Sequence, residues 1–179
     1  MLRTPLLLGY LVAGRRDLIS ADVERWRREQ NLGDRRVLLK LLSQPEFRSL
    51  YYFRLRNAGS AGRLFQRIAR VIYRGQTTLY LLASEIGPGL YIQSGLATGV
   101  GTDTTLGANC TIGQHVMIAH SNSRRAPRIG NGVRIMAGAL ILGDVDIGDG
   151  AVISPGAVVL RNVPAGATVE GVPARQVET

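Results

Sequence analysis

Residues 129–159 read IGNGVRIMAGALILGDVDIGDGAVISPGAVV, and an aliphatic residue returns at every sixth place: Ile129, Ile135, Ile141, Ile147, Ile153 and Val159. About a quarter of residues in ordinary chains are Ile, Leu or Val, so six fixed positions agree by chance about once in several thousand. Toward the N-terminus the aliphatic first positions continue as Ile118, Ile112, Leu106, Val100, Ile92 and Ile86, which makes twelve rungs. Glycine often follows (Gly87, Gly101, Gly107, Gly113, Gly130, Gly148) and permits the tight backbone of a corner. The fifth position is small or β-branched through most of the run, as at Thr104, Cys110, Val116, Val133, Ala139, Val145, Ala151, Ala157 and Val163. Two inward side chains per six residues suit short flat strands that meet at corners. Three rungs then close one triangular coil, and the run predicts a β-solenoid of about four coils.

The 179 residues suffice to bury a core, and the charge divides unevenly. Residues 1–85 hold 16 of the 22 basic and 7 of the 13 acidic residues, a net of +9, whereas residues 86–179 hold 6 of each. The first half reads as helices. Ser20 is expected to cap a segment with Asp22 and Glu24 in its first turn and Leu18, Val23 and Trp26 as apolar contacts, ending near Gly33. A short helix is predicted over Arg35 to Leu42. A third starts at Ser43-Gln-Pro-Glu46, a capping-box spacing, and runs to Asn57-Ala-Gly59. In a fourth, Leu64, Ile68, Val71 and Ile72 form the apolar side, and Arg63, Arg67, Arg70 and Arg74 form one stripe. The division expected is a helical domain over 1–80 and a solenoid domain with its tail over 81–179.

Several functions are disfavoured. One cysteine excludes an internal disulfide, and Cys110 falls at an inward position. The apolar stretch Pro5 to Ala13 is too short to span a bilayer, and no small-x-small cleavage site follows it. Two histidines, His115 and His120, are too few for a three-histidine zinc site, so no metal is expected. No GxxxxGK[ST] loop occurs, and nothing marks a nucleic-acid platform.

The stretch from Ile86 to Ala174 resembles the left-handed parallel β-helix of the hexapeptide-repeat acyltransferases. The fold class expected is therefore α+β, an α-helical N-terminal domain followed by that β-helix. The left hand is implied by the resemblance, because the general rule for parallel crossovers points the other way. Within the family the chain looks like the serine acetyltransferase branch, including relatives in polysaccharide gene clusters. The matching segments are Pro45-Glu-Phe-Arg48 with YYFRL at 51–55, Ile86-Gly-Pro-Gly-Leu-Tyr-Ile-Gln93, Pro127-Arg-Ile-Gly130, and the tail from Val163-Pro164 to Gly171-Val-Pro-Ala-Arg175.

The resemblance implies acetyl transfer from acetyl-CoA to a hydroxyl, on L-serine or a sugar of a surface polysaccharide. A positioned histidine takes the alcohol's proton and backbone N–H groups steady the oxyanion. In relatives that base follows Gly-Leu-x-Ile-Gln; here Ser94 stands in its place, and a hydroxyl is no base near neutral pH. The second family histidine is matched by Ala126, and the acidic residue ahead of the first coil has no counterpart in Leu79 to Ser84. With Ile112 stacked on Ile92, Ser94 is expected over Gln114, which brings His115 to the same groove as a relocated base; otherwise it is an outward surface imidazole. The candidate catalytic residues are thus His115 and Ser94. His120, which opens the loop 121–128, is a weaker one. The resemblance further implies a homotrimer whose intersubunit groove takes acetyl-CoA against Ala137, Gly138, Pro155 and Gly156, with Arg161 and Arg175 toward its phosphates. The expected location is the cytoplasm, with the stripe Arg63, Arg67, Arg70 and Arg74 a peripheral contact for the anionic inner face of the membrane. The alternative is a catalytically impaired scaffold that kept the solenoid and lost turnover through Ser94.

Overall fold

A computed structural model describes residues 16–33, 37–56, 64, 79–120 and 125–177. The chain divides into two compact units, Met1–Thr77 and Thr78–Thr179.

In the first unit, α1 spans Arg16–Glu29, α2 spans Val37–Leu41 and α3 spans Pro45–Arg56. Helix α1 begins a turn earlier than the Ser20 cap predicts, because Ile19 is buried and lengthens the buried row to Ile19, Asp22 and Trp26 at i, i+3 and i+7. Leu18 and Val23 flank that row and are half-buried. Trp26 meets Phe47 edge to face, ring centroids 5.3 Å apart. Gln30 and Gln44 exchange side-chain hydrogen bonds of 2.7 and 2.9 Å. Beneath these, the Arg54 guanidinium clamps the Asp22 carboxylate through bonds of 2.8 and 3.1 Å, each side chain about 2 % exposed. The fourth predicted helix and its stripe Arg63, Arg67, Arg70 and Arg74 lie outside the described residues.

The second unit is a parallel β-solenoid. Its strands are β1 Tyr80–Leu81, β2 Glu85–Ile86, β3 Tyr91–Ile92, β4 Gly99–Val100, β5 Thr105–Leu106, β6 Thr111–Ile112, β7 Met117–Ala119, β8 Arg128–Ile129, β9 Arg134–Ile135, β10 Leu140–Leu142, β11 Asp146–Ile147, β12 Val152–Ile153, β13 Val158–Val159, β14 Thr168–Glu170 and β15 Arg175–Val177. Every third strand stacks. Sheet A is β1-β4-β7-β10-β13, sheet B is β2-β5-β8-β11, and sheet C is β3-β6-β9-β12-β14 with β15 added antiparallel. A parallel bridge from Ile147 to Val163 extends sheet B by one rung.

All twelve aliphatic first positions are buried, and their partners are the ones a three-rung coil requires, such as Ile112 with Ile135 and Ile141 with Val159. The coils number about five, one more than expected. The added rungs are Leu81 at the start, paired with Val100, and Val163 and Val169 at the end. Tyr80, whose N–H donates to the Thr98 carbonyl at 2.9 Å, belongs to the solenoid and lies on its side of the division. The coils approach so closely that a Cβ on Gly107 would sit 2.6 Å from the Gly130 carbonyl carbon. Within the core, Cys110 Sγ lies 3.1 Å from the Gly130 oxygen, and the Thr104 hydroxyl has no partner among the described residues.

The outer faces of sheets A and B differ. Sheet B shows Glu85, Thr105, Arg128 and Asp146, the last two paired at 2.9 Å. The Arg128 bond and charge hold the Asp146 carboxyl below the usual carboxylate range. Sheet A shows Tyr80, Leu82, Met117, Ala119, Leu140, Leu142, Val158 and Leu160, with glycine at 99 and 101 and no charged side chain.

Candidate active site

The corner between sheets C and A carries most of the predicted residues. Its coils are joined by His115 N–H to Leu96 O, Gly138 N–H to Gln114 O and Gly156 N–H to Ala137 O, each 2.9 Å. Four consecutive coils turn there through the left-handed region: Ala97 (φ 47°), His115 (φ 56°), Gly138 (φ 74°) and Gly156 (φ 69°). Glycine takes that conformation freely; histidine does so at a cost of about 1–2 kcal/mol. His115 is exposed, and its imidazole has no hydrogen-bond partner among the described residues.

Ala137, Gly138, Pro155 and Gly156 therefore come together on one edge with His115. A Cβ on Gly156 would meet nothing within 4 Å, so this strip is open and side-chain-poor along its last coils. The strip suits an extended thread such as pantetheine.

Ser94 belongs to the same corner but not to the expected stack. Ile92 and Val100 are eight residues apart, two more than one rung needs, and the extra length bulges at 93–98. Leu96, not Ser94, pairs with Gln114, and Ala97 stacks on His115. The Ser94 hydroxyl accepts from Leu96 N–H at 3.4 Å, and its carbonyl accepts from the Thr98 hydroxyl at 3.5 Å. Residue spacing shows the excess but not where the chain absorbs it.

The structure does not bring Arg161 to this corner in one copy. It follows β13 and is exposed at the opposite edge of sheet A, where the chain passes to sheet B. His120 lies at that edge too, Nε2 3.4 Å from Thr102 Oγ1, with Ala126 buried nearby in sequence. Arg175 lies past the last coil. The tail reaches it by way of Val158 N–H to Gly171 O (3.0 Å) and Ala174 N–H to Val158 O (2.8 Å), and it faces Glu170 across β14 and β15. Among the described residues no group of three or more His, Cys, Asp or Glu is placed to hold a metal, and no helix is long and apolar enough to cross a membrane.

Residues 126–161 match the model of the bacterial transferase hexapeptide (six repeats), and the coils described above place the chain in the class of hexapeptide-repeat transferases. The serine acetyltransferase of Helicobacter pylori is 34% identical over 146 residues, 76% of this chain and 84% of that protein. That of Synechococcus elongatus is 32% identical over 158 residues, 82% of this chain and 63% of the relative. That of Buchnera aphidicola is 41% identical over 101 residues, 51% of this chain and 37% of the relative, so the chain spans less than two thirds of these last two. Among solved structures, the Neisseria gonorrhoeae serine acetyltransferase in complex with serine superposes with a TM-score of 0.71 at 29% identity, covering 91% of this chain and 69% of that one. A serine acetyltransferase in complex with CoA gives 0.70 at 25% identity, covering 97% and 83%. The chain belongs to the serine acetyltransferase family.

Proposed function

We propose that the protein is an acetyl-CoA-dependent O-acetyltransferase whose acceptor is a hydroxyl, of L-serine or of a sugar in a surface polysaccharide. The observation that carries this reading is His115, held in a left-handed corner beside the open strip of Gly138 and Gly156. Backbone strain of this kind persists where the site needs it. Relatives crystallised with serine and with CoA support the donor and the class of acceptor.

Acetyl-CoA would thread along Ala137, Gly138, Pro155 and Gly156, with Arg175 and Arg161 of a neighbouring copy toward the phosphates. The neutral imidazole of His115 removes the acceptor's hydroxyl proton as the oxygen attacks the thioester carbonyl. The C–S bond then breaks, and the imidazolium returns its proton to the departing thiolate. Backbone N–H groups of the corner supply charge stabilisation.

The side chains of this corner, including Gln93, Ser94, Leu96 and Gln114, carry no permanent charge, which suits an uncharged sugar hydroxyl. Thioester cleavage is measured with serine and then with sugar acceptors. Release with either supports the transferase. His115→Ala should lower it by roughly 10²- to 10⁴-fold, the range general base catalysis supplies.

A second reading rests on Ser94, which has replaced the family base: a scaffold that binds CoA without turnover. No release with any acceptor, together with a large gain in Ser94→His, would establish it. The working form we propose is a cytoplasmic homotrimer touching the inner membrane face through Arg63, Arg67, Arg70 and Arg74. Their replacement by glutamine should abolish binding to anionic vesicles.

A further inference from the structure

We infer that Asn131–Gly132 is a hydrolytic modification site of the solenoid: it is shut while the coils are stacked at the corner between sheets B and C, and once opened it reacts to a product that the corner cannot take back unchanged. The site belongs to the scaffold and is independent of acetyl transfer.

The chain has six asparagines, and only Asn131 precedes a glycine. Asparagine is a thermolabile amide. The residue after it governs how readily it reacts, because a side chain there shields the attacking nitrogen and glycine leaves it bare. Gly132 lies at φ +65° with open space where a Cβ would be, and Asn131 is exposed, so solvent reaches the pair. The reaction balances with water alone. The Gly132 amide nitrogen bonds to Asn131 Cγ, and its proton passes through solvent to the carboxamide nitrogen, which leaves as ammonia when the Cγ–Nδ2 bond breaks. Water then opens the cyclic imide at either carbonyl. The product is aspartate or, with the main chain rerouted through the side chain, isoaspartate.

Stacking holds the atoms that must move. Gly132 N–H donates to Ala108 O at 2.7 Å, and Asn131 Oδ1 accepts from Ala108 N–H at 2.8 Å. On the other side, Asp149 Oδ1 accepts from Asn131 N–H at 2.7 Å, Asp149 Oδ2 accepts from Asn131 Nδ2 at 3.2 Å, and Asn131 O accepts from Gly150 N–H at 2.7 Å. Two glycines make room for this ladder: a Cβ on Gly107 would sit 2.7 Å from Asn131 Oδ1, and one on Gly130 would strike Asp149 Oδ1. For Cγ to reach the Gly132 nitrogen, the side chain must leave both Ala108 and Asp149, and the nitrogen must leave its acceptor. Reaction therefore follows local opening of the coils rather than exposure.

The product does not fit the ladder. Asn131 Nδ2 is the donor that joins the two side chains, and an aspartate at this position sets a second carboxylate against Asp149. The Asn131 N–H and then its carboxamide hold the Asp149 carboxyl below the usual carboxylate range, so it is ionised near neutral pH and the two like charges repel. Isoaspartate inserts an extra main-chain atom between the Asn131 and Gly132 positions and displaces the bonds to Ala108 and Gly150.

The test incubates native and urea-unfolded protein in the same mildly alkaline buffer. The tryptic peptide Ile129–Arg134, which holds no other asparagine, is followed by mass and by chromatographic separation of its aspartate and isoaspartate forms. Conversion is expected in the unfolded chain and at least about tenfold more slowly in the native protein. No conversion when unfolded overturns the site, and equal rates overturn its closure by stacking. Asp149→Ala should raise the native rate several-fold and leave the unfolded rate alone; an unchanged native rate overturns the part given to Asp149. Asn131→Asp should melt below the wild type at neutral pH, and Asp149→Asn in the same chain should restore most of the loss, because an amide then faces the acid. Failure of the single variant to fold, with the double variant folded, is the same result in stronger form. A wild-type melting point in Asn131→Asp, or no rescue by Asp149→Asn, overturns the irreversible outcome.

Discussion

Arg54 and Asp22 form a two-pronged ion pair, at 2.8 and 3.1 Å, that ties α3 to α1 across the buried seam of the helical unit. A buried pair is weak ground for stability in itself, but removing one member strands the other charge. Asp22→Asn should destabilise the protein by about 3–5 kcal/mol in denaturant titration. The double change Asp22→Leu/Arg54→Met should cost far less. A small loss in the single variant would mean that water already reaches the pair.

Gly107 and Gly132 are both corner glycines with different requirements, which two substitutions separate. A Cβ on Gly107 strikes the backbone of the next coil, whereas Gly132 has open space but a φ of +65°. Gly132→Asn should be nearly neutral, because asparagine tolerates the left-handed region. Gly107→Asn should lower stability at least as much as Gly107→Ala, by about 1–3 kcal/mol, since the obstacle is volume. Thermal unfolding of the three variants decides this.

His115 adopts a φ that glycine adopts in the two following coils. His115→Gly should therefore raise stability by up to about 1 kcal/mol, the relieved strain set against glycine's greater unfolded entropy. Acetyl transfer should fall at the same time. A variant that loses stability instead would show that the imidazole serves packing.

Glu24 accepts bonds of 2.8 and 2.9 Å from Arg27 and 2.8 Å from Arg28, and these, Arg27 first, pull its pKa from the ordinary 4.5 to about 2. The folded state prefers the ionised form, so the contribution is complete above pH 4.5 and is lost as pH falls toward 2. The wild type should melt above Glu24→Gln at neutral pH, and the gap should close across that interval. The pairs are exposed, so the gap is small.

The solenoid was legible because its signal is periodic and each rung repeats the same burial. Three rungs escaped that reading. Leu81 precedes the regular beat, and the short interval from Val159 to Val163 throws Val163 and Val169 out of phase with it, yet bridge and ladder pairing recruit them. In the helical unit the row that decides burial passes through Ile19 and a charged residue, Asp22, whose partner lies 32 positions away in sequence. No local pattern contains that partner. At the site, His115 and the strip at 137–138 and 155–156 share a corner. The stack of Ser94 on Gln114 failed at the two-residue bulge. Arg161 was grouped with the strip through family likeness, which does not distinguish one edge of a sheet from the other.

Between Ile118 and Ile129 the chain takes eleven residues to do the work of six, yet Thr105 pairs with Arg128 and Leu106 with Ile129 as though nothing intervened. Doubling a loop adds only about 0.6 kcal/mol of closure entropy. This junction thus acts as a splice point, where the connecting chain can differ in length while the scaffold keeps its gauge.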